Sequence, residues 1–352
     1  MMAFNPETFE FRCHYLGFFA GSPQGGTSKD KYEKIAGQIV ETNEKYSKLK
    51  NKDCDRGKGY QEAIVELKKI LTELEPFKDI EELSDTAISK CWDIINENEY
   101  GIVENLDNKY VQKGLLTEDD GITIIGNYHN AFLTKNEKHF SNGIISGTPD
   151  LIHGKTKTGF VIDNKASYNK RSYDKTKTLK NIYEWQVAVG YLWLTGYNKA
   201  QVIHTLVNTP VELIKAEMRG IIYRHKPFGM PTDEFEITEE FSRVKTQIFR
   251  NHIYSDSGYI QNFDGSIEYL TEGYWKHLVA LENLDENFIF KPIPENQRLK
   301  IFQAERDDSK IKHIEKQLLK ARAYMCRIME NPRTDDIVHI KRTIKEITKA
   351  DD

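Results

Sequence analysis

Two short apolar segments in the middle of the chain carry charges where a strand ordinarily carries none. "SGTPDLI" (146–152) places Asp150 just before Leu151 and Ile152, and "GFVIDNKAS" (159–167) ends its apolar run on Asp163 and Lys165. Both segments read as strands, joined by the turn-rich "HGKTKTG". Side chains alternate along a strand, so Asp163 and Lys165 share a face. A hairpin can bring Asp150 beside Asp163. Isolated charges in apolar strands cost folding free energy unless something pairs with them. Two neighbouring carboxylates also raise one another's pKa. A hard divalent cation removes that cost. Mg²⁺ suits the site, with Mn²⁺ as a substitute, because it prefers oxygen ligands and keeps several waters. Lys165 can then orient or help deprotonate an attacking water and offset charge on a phosphate. The plainer alternative has Asp150 capping a turn after Pro149 and Asp163 simply pairing with Lys165. A lone D-x-K does not separate the two readings; charges that interrupt two apolar runs favour the ion.

The surrounding pattern predicts an α/β fold. A helix is expected over 110–128, strands over 143–152 and 159–166, a helix over 180–196 ending at Gly196, and a strand over 200–208. The order helix, strand, strand, helix, strand predicts a mixed sheet flanked by helices. The first hundred residues read as helical, over 29–50, 60–75 and 84–96, with Ser84 as N-cap of the third. Near the other end, Ile311, Ile314, Leu318, Ala321, Met325 and Ile328 step by three and four. After "NPR", Ile337, Ile340, Ile344 and Ile347 repeat the spacing. A helical hairpin is expected there, packed on its own domain or against a partner. The predicted organisation is a helical region (1–100), a core (101–225), an accessory lobe (226–300) and the hairpin (301–352).

Composition narrows the classes. The 352 residues are 39% hydrophobic and 30% charged, with net charge −4, so a nucleic-acid partner would need a local basic patch. No signal-peptide pattern or membrane-length apolar run is present. Cys13, Cys54, Cys91 and Cys326 are scattered without a CxxC pair, which argues against zinc, disulfides or an iron–sulfur cluster. They read as ordinary thiols in a reducing cytoplasm.

"GTPDLI … VIDNKAS" resembles the PD-(D/E)XK nuclease signature, and more closely that of the YqaJ-like viral recombinases, the lambda-exonuclease-like group. The resemblance covers roughly residues 105–210. It implies a restriction-endonuclease-like core in which Asp150 and Asp163 bind Mg²⁺ and Lys165 assists catalysis. Position 163 is Asp where many relatives have Glu. "KYVQKGLLTEDD" (109–120) is similar to the family's first core helix, whose Glu completes the metal site; the match favours Glu118. Periodicity alone leaves Glu118 and Asp119 unresolved, since both border the stripe of Leu115, Ile122 and Ile125. "YEWQVAVGYLWLTG" (183–196) is similar to the family's Q-x-x-x-Y motif. Only Gln186 transfers well, as a ligand of phosphate or of a metal-bound water; Tyr191 reads as a core aromatic.

Between 155 and 180 the chain carries eight basic residues against two acidic ones. "SYNKRSYDKTKTLK" interleaves Tyr168 and Tyr173 with Lys170, Arg171, Lys175 and Lys177, as a DNA-guiding loop would, and Lys113 adds to it. A solvated lysine loop is the alternative. The expectation is a Mg²⁺-dependent exonuclease that resects double-stranded DNA ends in phage recombination, through metal-activated water. Two rivals remain: an endonuclease on the same core, and an inactive DNA-binding module. An annealing protein as partner and a ring-shaped homo-oligomer are implied by the resemblance alone.

Overall fold

The computed structural model describes residues 4–23, 26–78, 83–103, 108–236, 238–262 and 264–330. In chain order the main helices are α1 (Ser28–Ser47), α2 (Asp55–Leu74), α3 (Asp85–Tyr100), α4 (Lys109–Leu116), α5 (Glu118–His129) and α6 (Lys170–Lys175). A continuous helical run, α7, follows as Asn181–Tyr183, Glu184–Tyr191 and Leu192–Thr195. Then come α8 (Val211–His225), α9 (Thr232–Glu236), α10 (Glu239–Arg250), α11 (Tyr274–Glu282) and α12 (Asp308–Glu330). The strands used below are β1 (Leu151–His153), β2 (Phe160–Ala166), β3 (Lys199–Thr205), β4 (Gly258–Gln261), β5 (Ile267–Leu270) and β6 (Leu299–Glu305).

The chain divides into two compact units that interleave in sequence. One takes residues 1–103, 141–145 and the chain from 308 onward; the other takes 104–140 and 146–307. In the first, α1 opens on a capping box between Thr27 and Asp30 and packs on α2 through Ile35, Ile39, Ile70 and Leu74. Ser84 caps α3 as expected, its hydroxyl accepting from the Ala87 N–H. The predicted stripe of α12 is buried from Ile311 to Ile328, and α12 packs against α3 of its own unit. The second helix of the predicted hairpin lies outside the described residues.

The second unit is built on a four-stranded sheet ordered β1-β2-β3-β6. β1 and β2 are antiparallel, β2 and β3 parallel, β3 and β6 antiparallel. A parallel pair needs a crossover, and α6 and α7 supply it. The pairing sets Lys165 opposite His204, and His204 opposite Lys300. Ile122 and Ile125 of α5 pack on Leu151, Ile162 and Ile203, which fixes one face of the sheet. Alternation sends Asp163 and Lys165 to the other face. Residues expected to form an accessory lobe bring their own core, in which Phe235, Phe249 and Trp275 pack with Ile214 and Met218 of α8.

Three predicted elements are broken, each for a local reason. The helix expected over 110–128 splits at Thr117, whose backbone leaves the helical region (φ −117°, ψ 15°) and ends α4. The strand expected over 143–152 is interrupted between Gly147 and Leu151. Pro149 has no N–H for a ladder there, and Asn136 holds the interruption through the Pro149 and Asp150 carbonyls at 2.9 and 2.7 Å. The helix over 180–196 forms and ends on Gly196 (φ 75°), but its middle widens to a π-helix over Glu184–Tyr191.

Candidate active site

Asp163 ends the apolar run of β2 and is fully buried. The Lys165 ammonium stands 2.7 Å from its Oδ2 and pairs with it, while Oδ1 has no hydrogen-bond partner among the described residues. A buried carboxylate ordinarily fills both oxygens, and leaving one unfilled costs about 1–3 kcal/mol. The open Oδ1 fits a group outside the chain that ligates carboxylate oxygen, such as a hard cation.

Asp150 lies at the entry to β1, where the interrupted strand turns its side chain toward β2. Its Oδ2 accepts from the Asn164 N–H at 2.7 Å. Burial, and then the nearby Asp163, push its carboxyl up to about 7 against the pull of Lys165 and that N–H. Burial pulls the Lys165 ammonium down, but Asp163 and Asp150 lift it above its ordinary value. Its side chain is a quarter exposed and sits 5.1 Å from the Tyr183 ring on α7. The predicted trio is therefore one electrostatic unit.

Glu118 opens α5 and contributes to the field that raises Asp150. Its Oε2 is engaged by Lys135 at 2.6 Å. Among the described residues no three His, Cys, Asp or Glu side chains converge as a ready metal cage. Glu118 thus stands at the edge of the Asp150–Asp163 pair. Gln186 is buried on α7 and donates from Nε2 to the Tyr191 hydroxyl at 3.0 Å, so the two polar members of the expected motif bond each other.

Two features of the site escaped sequence reasoning. His204, opposite Lys165 on β3, is buried with no partner on Nε2. Burial, then Lys180, Lys165 and Lys300, push it down to about 4, so the imidazole is neutral. The alternation of "AQVIHTLVN" puts it in phase with Val202, which was the available signal. The second is Gly121 on α5. A Cβ there would stand 2.2 Å from the Asn164 Nδ2. The glycine lets α5 lie directly on the residue between Asp163 and Lys165. Asn164 also accepts from the Thr205 hydroxyl at 2.9 Å, and its N–H holds Asp150.

The proposed DNA contacts separate into two groups. Lys170 is half-buried and bonds Asp174 at 2.6 Å, while Arg171, Lys175 and Lys177 are exposed. Lys300 supports this segment, donating to the Tyr173 and Thr176 carbonyls at 2.5 and 3.1 Å. Lys113 and Tyr173 are corrections. Lys113 is fully buried and donates to the Tyr168 and Val207 carbonyls at 3.0 and 2.9 Å, out of reach of any phosphate. Tyr173 is buried with its hydroxyl on the Gln297 carbonyl, and Tyr168 is buried beside it in sequence, so neither ring is offered to a base.

No protein-family model matches the chain, and no curated protein matches it. Solved structures do. A phage-related exonuclease from Haemophilus somnus 129PT is 19% identical over 92% of this chain and 96% of its own, with a TM-score of 0.51. That likeness establishes the fold: the chain shares the α/β architecture of a phage-related exonuclease. An alkaline exonuclease from Laribacter hongkongensis is 13% identical over 75% of this chain and 87% of its own, with a TM-score of 0.38. Among the described residues no helix is long and apolar enough to cross a membrane.

Proposed function

We propose that the chain is a Mg²⁺-dependent deoxyribonuclease that digests double-stranded DNA from its ends, in the service of phage-type recombination. The observation that carries this reading is the fully buried Asp163, with Oδ2 paired to Lys165, Oδ1 open, and the Asp150 carboxyl close enough to be raised by it. The exonuclease fold supports it. Asp150 and Asp163 would hold the cation, with Glu118 joining once released from Lys135. A bound divalent cation supplies Lewis acidity and a more acidic water. The residues supply the rest. The Asn164 N–H fixes the orientation of the Asp150 carboxylate. Lys165, held against Asp163, is placed to stabilise charge on the phosphate or to orient the attacking water. Exposed Arg171, Lys175 and Lys177 offer phosphate contacts on the segment that follows β2. An annealing partner and a homo-oligomeric ring belong to the same proposal.

The test is digestion, with Mg²⁺, of one sequence supplied as linear duplex and as covalently closed circle. Degradation of the linear form alone is expected. Cutting of closed circles would replace the exonuclease by an endonuclease, and inertness toward both forms would remove the nuclease.

A further inference from the structure

A recess of about 630 Å³ lies on the side of α5 that faces away from the sheet. Asp120, Ile124 and Asn127 of that helix line it, whereas Ile122 and Ile125 pack on the sheet. The opposite wall is aromatic: Tyr259 and Tyr269, a pair with centroids 4.9 Å apart on the β4–β5 ribbon, and Tyr274. Tyr259 and Tyr269 are each about half exposed and stand at the mouth, while Tyr274 is buried. A volume of this size suits a small organic ligand.

Two charged groups line the recess. Arg298 is 7% exposed, and its Nε has no hydrogen-bond partner. Its ion pair is with Glu295, at 3.7 Å. Asp120 takes a hydrogen bond from the Tyr259 hydroxyl. Asp120 and Arg298 are close enough to feel each other's charge. A guanidinium donor and a carboxyl acceptor so placed ask for a planar edge that accepts beside the one and donates beside the other. Nucleobases present that pattern, and aromatic side chains stack on their faces. The recess also contains Glu212 and Glu282, both paired with Lys215, so this part of its lining offers no uncommitted cation for a phosphate.

We propose that this recess binds an unpaired nucleobase, with its edge between Arg298 and Asp120 and its face against Tyr259 and Tyr269. The choice of DNA as source rests on the nuclease reading; the recess is a separate site from the Asp150–Asp163 pair, on the side of α5 turned away from the sheet.

The experiment is calorimetric titration of the full chain in EDTA with uncharged deoxyguanosine and deoxycytidine, and with deoxyribose as control. Saturable binding of the nucleosides, absent for deoxyribose, is expected. It should change little between low and high salt, since no phosphate is involved. Asp120→Asn and Tyr259→Ala should each weaken it about tenfold. Tyr259 is surface-accessible, so its truncation leaves the fold intact even if Arg298 variants do not. Absence of binding at millimolar nucleoside, or binding unchanged in both variants, would overturn the proposal. Digestion of linear duplex with Mg²⁺, run in parallel, keeps the two readings apart. Digestion without nucleoside binding refutes the recess alone, and nucleoside binding without digestion supports the recess while refuting the nuclease.

Discussion

Lys165 and Lys113 lie in the same unit, and each holds its ammonium against buried partners, but by opposite means. Lys165 stands against Asp163 and Asp150 and is lifted above its ordinary value. Lys113 has only carbonyls, those of Tyr168 and Val207, with the Tyr254 ring 5.6 Å away. Burial pushes it down to about 7. The first arrangement concentrates charge around a buried carboxylate with one open oxygen, which is costly unless a ligand completes it. The second ties the ends of two strands together, and a neutral amine has two N–H donors for its two carbonyls. One lysine completes a charged cluster and the other holds the sheet.

Substitutions can break that contrast. Lys165→Met should lower duplex digestion per folded molecule by roughly 10²–10³, the scale of losing a group that stabilises transition-state charge, and should also lower stability by leaving the buried Asp163 unpaired. Lys113→Met should lower stability alone. Stripping donors from two buried carbonyls costs about 2–4 kcal/mol in chemical denaturation, with activity per folded molecule retained. If Lys113→Met abolished activity in folded protein, the division between the two lysines would fail.

The same contrast has a pH signature. The unfolded-state pKa of Lys113 is near the ordinary lysine value and its folded value is about 7. Between them the unfolded chain binds more protons, so folded stability rises with pH across that window, by up to about 4 kcal/mol from this residue. Denaturation at pH 7 and pH 9.5 should show the rise, and Lys113→Met should flatten it. A smaller effect concerns positioning. Gly121→Ala drives a methyl toward Asn164 and should cut activity about tenfold through the displaced Asp150 clamp, of order 1.4 kcal/mol. Adding Asn164→Ala should recover part of the loss, and equal activity in Gly121→Ala and wild type would rule the clamp out. Smallest of all, Lys177→Ala should weaken DNA binding uniformly across sequences and shallow its salt dependence by about one counterion.

How far these differences could be read from the chain follows from their range. Asp150, Asp163 and Lys165 were legible because a hairpin and a two-residue period fix their neighbours locally. The α12 stripe and the Ser84 cap are equally local, and both are found. Lys113 was not legible, because its acceptors lie 55 and 94 residues away. Without them a lysine after "YVQ" looks solvated. Tyr173 misled for the same reason, since its hydroxyl partner is 124 residues distant. Gly121 did show an oddity, a glycine inside a helix, but its meaning lay in Asn164, on another element.

The role proposed for the buried Asp163 carboxylate is metal-dependent hydrolysis. It is tested most directly by digestion of a linear duplex labelled at one end, with saturating Mg²⁺, by wild type and Asp163→Asn of matched melting temperature. The account predicts steady release of nucleotides by the wild type and a fall of at least about 10³ in the variant, of order 4 kcal/mol. Equal rates from the two proteins would contradict it.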